Sequence, residues 1–347
     1  MNDGKSMGTA PAGLYVQTNE QGENRLIAFS RGDDGSLTQL GAFATRGAGL
    51  GVPHLTSQGS VVLSGDGKFV LVANAGSDDI GVFAIDAEGP RLVQTVPSGG
   101  AAPKSLAEFE GLVFVLNTGD PSVVGFSLDD RGLTQIAGSR RALVANADPA
   151  QIGFGPNGST IIVTERGTDS IVIFPVDIHG RLGEPAMQPS SGRTPYGFAV
   201  TSGGTLVVTE AFGAQVGKAA ASSYVLGGTL AQPVTRSLGN GRSEICWAVI
   251  TNDERYAFTT NFADGAVSRY AIGADGGLVL EAAVAATAVE GATGLRDESL
   301  TLDNRYLYAI DADAQRIFGW AVGADGALAP VGSWDGIPAT VAGMAAS

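Results

Sequence analysis

The stretch Leu63-Ser-Gly-Asp-Gly-Lys-Phe-Val-Leu-Val-Ala-Asn-Ala-Gly-Ser-Asp-Asp-Ile-Gly-Val-Phe83 holds the pattern that decides the fold. Apolar residues precede Gly65-Asp66-Gly67, and Asp-Gly supplies the dihedrals of a tight reversal, so the flanking runs pair as a hairpin. The second run ends in a carboxamide, Asn74, and an aromatic, Phe83, follows nine residues later in a third run, Asp79–Asp86. The same combination occurs seven times. The polar positions are Glu20, Asn74, Asn117, Glu165, Glu210, Asn261 and Asp311, spaced 43 to 54 residues apart, and the aromatics are Phe29, Phe83, Phe126, Phe174, Tyr224, Tyr270 and Trp320. Only the fifth repeat departs: Tyr224 lies fourteen residues beyond Glu210, so that repeat carries a loop of about five extra residues by subtraction.

The hairpin turn recurs at Pro156-Asn157-Gly158, Asn252-Asp253 and Asp303-Asn304. A second turn follows the third run, as at Asp129-Asp130-Arg131-Gly132, Asp177-Ile178-His179-Gly180, Gly273-Ala274-Asp275-Gly276 and Gly323-Ala324-Asp325-Gly326, and leads into a fourth, outer run. Four antiparallel strands repeated at this period form a propeller blade, so the expected fold is an all-β, seven-bladed propeller. The first repeat starts at Leu14 with no hairpin partner before it. The last residues, Ile337–Met344, read as an innermost strand with nothing after it. The C-terminal strand is therefore expected to complete the N-terminal blade and close the ring. Each blade buries its faces only against its neighbours, so residues 13–347 form one domain, preceded by a disordered tail over 1–12.

Composition narrows the partners. With a net charge of −14 the chain is a poor match for nucleic acid or an anionic membrane. No apolar run is long enough to span a bilayer as a helix. Cys246 is the single cysteine, so no internal disulfide contributes to the fold. The first ten residues lack the apolar centre of a signal peptide, which points to the cytoplasm. The partner expected is a small molecule, with the protein a monomer or a dimer.

The chain resembles the lactonase family of seven-bladed propellers, which includes bacterial 6-phosphogluconolactonase and fungal carboxymuconate cyclase. The residues that carry the resemblance are Leu63–Phe83, the run Gly155-Pro-Asn-Gly-Ser-Thr-Ile-Ile-Val-Thr-Glu-Arg-Gly-Thr-Asp-Ser-Ile-Val-Ile-Phe174, and Val96-Pro-Ser-Gly-Gly-Ala-Ala-Pro103. The resemblance implies ring-opening or ring-closing of a lactone. In the cyclase branch a histidine opens the inner strand of a middle blade; here that segment reads Asp148-Pro-Ala-Gln151. Its arginines fall near Tyr196, with Arg193 close by, and at about Val249. Its glutamate matches Glu210.

Antiparallel pairing brings the start of each inner strand and the end of the next strand to one rim, where a channel mouth offers a ligand pocket. Glu210, just before the inserted loop, is the expected general base on a water, with Tyr196, Phe212 and Trp247 as an apolar surround. The alternative for Glu210 is a carboxylate bonding turn amides within its blade. Arg296, at the start of an inner strand, is expected to bind a substrate carboxylate or an oxyanion, with Arg193 as a second cation. Its alternative is an ion pair with Asp297 or Glu298. Glu165, Arg166 and Asn261 complete the expected binding set. His54 is the histidine placed to act as acid or base. No cofactor is expected; the ring of carboxylates and amides offers calcium or magnesium ligands without a spacing that selects a subset. Three functions stay open: a lactonase-like hydrolase, an isomerase or lyase using the same pocket, and a binding propeller without chemistry.

Overall fold

A computed structural model describes residues 12–53 and 55–347. The expected tail, Ala12 apart, and His54 lie outside the described residues. Seven four-stranded antiparallel sheets follow one another, and their innermost strands touch in cyclic order. The innermost strands are Ala342–Ala346, Val61–Leu63, Pro103–Phe109, Pro149–Phe154, Pro195–Val200, Ile245–Ile250 and Leu295–Leu300, for blades 1 to 7. The ring closes as expected: Ala342–Ala346 pairs with Gly13–Gln17, so the last strand is the innermost strand of the first blade. Blade 3 has a fifth short strand, Arg141–Ala142, where its outer strand breaks.

The turn residues do what their types allow. In Ser64–Phe69, Gly67 sits at φ 71° and Asp66 accepts from the Ser64 hydroxyl and the Lys68 amide. Thr301 and Asp303 repeat this turn with Asn304 at φ 60°, a left-handed position that asparagine tolerates. The repeated aromatics, Phe29 to Trp320, are all at most 2% exposed and fill the seams between blades. Truncating one to alanine would cost about 3–5 kcal/mol by cavity formation.

Two details differ from the repeat pattern. The polar position of the first blade is Thr18 and not Glu20. Leu14 faces Phe29 as Val70 faces Phe83, and counting on from these pairs reaches Thr18. The loop to the next strand is longer in blade 1, and that length displaced the register. The insertion in the fifth repeat spans residues 211–219, because the third strand of that blade already begins at Ala220.

Candidate functional site

Six polar positions, Asn74, Asn117, Glu165, Glu210, Asn261 and Asp311, end their strands at one rim, yet none is solvent-exposed. Their hydrogen-bond partners lie in the same blade or in the segment arriving from the blade before. Asn74 accepts from Asn24 and donates to Asp79; Asn261 accepts from Asn240 and donates to Ser268 and the Ala266 carbonyl. Glu210 is the fullest case. Its Oε1 accepts from Ser222 Oγ at 2.5 Å, the Gly192 amide at 2.7 Å and Ser190 Oγ at 3.3 Å, and its Oε2 from Ser237 Oγ at 2.7 Å. A β-carbon at Gly192 would collide with this carboxylate, so the segment approaching the blade is docked onto it. Four donors and no solvent path leave Glu210 without access to a water at the channel mouth. The general-base expectation is corrected: Glu210 ties its blade together, and Asn261 does the same one blade on. Glu165 is similarly enclosed, accepting from Thr168 while burial raises its carboxyl pKa. These oxygens face separate blades, so they do not fit a shared cation. Among the described residues no three His, Cys, Asp or Glu side chains gather to hold a metal.

The channel mouth is lined instead by residues that follow the polar position and by bulged residues of the inner strands of blades 3 to 7. Every inner strand of blades 3 to 7 shifts register near its start, between Pro103 and Ser105, Pro149 and Gln151, Pro195 and Phe198, Ile245 and Ala248, and Leu295 and Glu298. These bulges present Lys104, Ala150, Tyr196, Cys246 and Arg296, and re-aiming a side chain is what a bulge does.

A cavity of about 280 Å³ results, lined by Thr56, Arg166, Thr194, Tyr196, Ala211, Gly213, Ala214, Glu244, Cys246 and Phe262. Tyr196 packs on Trp247 with ring centroids 4.8 Å apart, and Trp247 is buried behind it, outside the cavity lining. Arg166 covers the Tyr196 ring at 5.0 Å, donates to its hydroxyl and pairs with Asp148 at 2.6 Å. Arg296 covers the Phe262 ring at 5.0 Å, donates to the Pro53 carbonyl and lies 3.8 Å from Asp313. Its partner is thus Asp313, not Asp297 or Glu298. Lys104 lies near Arg166, and burial followed by that guanidinium lowers its pKa. A chain of net charge −14 therefore gathers Lys104, Arg166 and Arg296 at one opening.

Of the remaining expectations, Arg193 points to solvent beside Asp169 and does not line the cavity. Phe212 does not line the cavity either; its neighbours Ala211, Gly213 and Ala214 do. The sequence reading missed Glu244, whose carboxyl is raised above its ordinary value by burial and then by Asp264. It ends a linker, before any strand, so no repeat signal marks it. Cys246 is buried and its thiol is pushed up to about 12 by burial, which makes it a poor nucleophile. A larger groove of about 660 Å³ lies at the opposite, hairpin-turn end between blades 2 and 3. Its walls carry Asp66, Glu108, Glu110, Asp129 and Asp130, so it suits an anion poorly.

The family model described as "Lactonase, 7-bladed beta-propeller" matches residues 14–138 and 114–211, more than half of the chain. The chain belongs to this family. Among solved structures, this lactonase-family propeller is similar to a candidate 6-phosphogluconolactonase of Bacteroides fragilis, with 16% identity, a TM-score of 0.75 and 99% of each chain covered. A candidate 6-phosphogluconolactonase of Bacteroides uniformis matches at 18% identity and TM-score 0.74, over 96% of this chain and 99% of that one. The periplasmic gluconolactonase of Pseudomonas aeruginosa matches at 15% identity and TM-score 0.71, over 94% and 97%. At these identities the likeness is one of fold. No curated protein matches the chain.

Beside the cavity, the inner strand of blade 7 carries two buried acids. Burial raises Asp297 to about 7, against amide donors from Glu298 and Met344. Glu298 is raised well above its ordinary value by burial and then by Asp297, with only the Thr260 amide acting against the shift. Groups with raised folded pKa values stabilise fully below the unfolded carboxylate pKa, and that stability is lost as pH rises through the folded values. The thermal midpoint should fall between pH 5 and 8. Glu298→Gln should make the fall shallower and lie about 3–6 °C above wild type at pH 8. Parallel pH profiles for the two proteins in thermal unfolding would remove the assignment.

Proposed function

We propose that this lactonase-family protein hydrolyses a small, carboxylated cyclic ester in the cavity at the channel mouth. The supporting observation is one cavity shared by a carboxylate, Glu244, a phenol, Tyr196, and a guanidinium, Arg166, with Arg296 behind Phe262. Arg166 and Arg296 would hold the substrate carboxylate and the developing oxyanion, since charge-assisted pairs are strong where water is excluded. Burial keeps Tyr196 protonated at neutral pH, so it serves as a hydrogen-bond donor to the carbonyl oxygen. Glu244 takes a proton from water as the water oxygen attacks the carbonyl carbon. The ring C–O bond then breaks, and the proton on Glu244 passes to the leaving ring oxygen. The product is the open-chain hydroxy acid.

The cavity is at the small end of ligand sites, which fits a single ring and not a disaccharide. The test is turnover of a panel of sugar, muconate-type and simple carboxylated lactones. Ring opening of at least one is expected, with kcat/KM rising with pH through a value above the ordinary glutamate range, because the base must be ionised. No turnover across the panel would overturn the hydrolase reading. Deuterium entering recovered substrate in heavy water, without net hydrolysis, would turn it into an isomerase.

A further inference from the structure

The innermost strand of blade 2 is half the length of those in blades 4 to 7: three residues, Val61–Leu63, against six. The residues before it leave the blade and cross the axis. Ser57 Oγ donates to the Ala150 carbonyl of blade 4 at 2.6 Å. The Gln58 side chain donates to the Ala248 carbonyl of blade 6 at 3.1 Å and accepts from the Ala248 amide at 3.3 Å. The Gln58 carbonyl accepts from Ser105 Oγ, and the Gly59 carbonyl accepts from the Leu106 amide, both of blade 3. The Pro53 carbonyl receives Arg296 of blade 7, and the Val52 carbonyl receives Asn19 of blade 1. Leu55 is buried between Ala75 and Ala342. The segment thus touches blades on every side of the channel, and Thr56 reaches the wall of the cavity. Below it, a second opening of about 380 Å³ between blades 5, 6 and 7 also ends on Gln58.

We infer that Ser57 and Gln58 form a plug that closes the channel axis, making the ligand site a one-ended chamber whose size sets the substrates accepted. This rests on the hydrolase reading for what the ligand is, but not for the existence of the barrier. A ligand must fit between the plug and blades 4 to 6, so a compact ring is admitted and a tail running down the axis is excluded. Through Pro53 the same segment positions Arg296, which would hold the anionic group.

Cys246, the only thiol, lies in the cavity wall and reports the chamber without any turnover. Its rate of modification by N-(1-pyrenyl)maleimide is divided by its rate with iodoacetamide, so that the thiolate fraction cancels. In the native protein this ratio is expected at least tenfold below its value in guanidinium chloride. In Ser57→Ala/Gln58→Gly it should rise at least fivefold, with Trp247 emission becoming more quenchable by acrylamide. If the double variant does not fold, Ser57→Ala alone should raise the ratio in the same direction. A native ratio equal to the unfolded one, or no change in a folded variant, overturns the plug. Failure of every lactone to react would leave this measurement standing, so the two readings fail separately.

Discussion

Glu244→Gln should lower kcat by about 10²–10⁴-fold, the range of a lost general base, while leaving the thermal midpoint within ~2 °C of wild type. Glu244 sits on a linker at the cavity wall and holds no blade together, so its amide should fold normally. Glu210→Gln should do the reverse. Its carboxylate receives four donors from blade 5 and from the segment leading into it, and removing charge from such bonds costs on the order of 1.5–3 kcal/mol. A midpoint lowered by about 3–5 °C is expected, with kcat per folded molecule within about threefold of wild type. Measuring both variants with the best lactone of the panel separates the roles. Full activity in the Glu244 variant together with a dead, stable Glu210 variant would return the base to the blade interior.

Arg166→Met should raise KM roughly 10–100-fold, since a charged group bonded to an anion in an enclosed site contributes about 1.5–3 kcal/mol. Arg166→Lys should recover little of this. The guanidinium sits over the Tyr196 ring while reaching both the phenol and Asp148, a geometry that an ammonium cannot reproduce. Steady-state kinetics and isothermal titration with the product hydroxy acid both read the effect. A KM unchanged in the methionine variant would place the substrate carboxylate elsewhere, with Lys104 and Arg296 as the remaining cations at the opening.

Much of the molecule was legible from one chain. Six of the seven polar positions, the aromatics, the turns and the closing strand follow from local periodicity, because each blade repeats one hairpin-based unit and the chemistry of each turn is carried by adjacent residues. The rim was legible too, since antiparallel pairing forces the starts and ends of neighbouring strands together. Of the residues expected there, Tyr196 and Arg166 line the cavity, while Trp247 and Arg296 pack against lining residues. The direction in which a side chain points was not. Glu210 and Asn261 look like a ring facing a channel, yet they are buried, because the segment arriving from the blade before docks on each of them. Periodicity also shifted blade 1 by two residues, from Thr18 to Glu20, where an aromatic spacing was matched across a longer loop.

By itself, then, the sequence determined the number of blades, their order and their closure, because those depend on contacts between near neighbours in a repeated unit. Tertiary structure alone decided which side chains share the cavity. Glu244 and Cys246 carry no motif; Cys246 comes from a strand bulge and Glu244 from the linker just before that strand, and the fold brings both to the wall that holds Arg166. The plug through Ser57 and Gln58 bonds partners more than ninety residues away, and no local pattern encodes a contact across an axis.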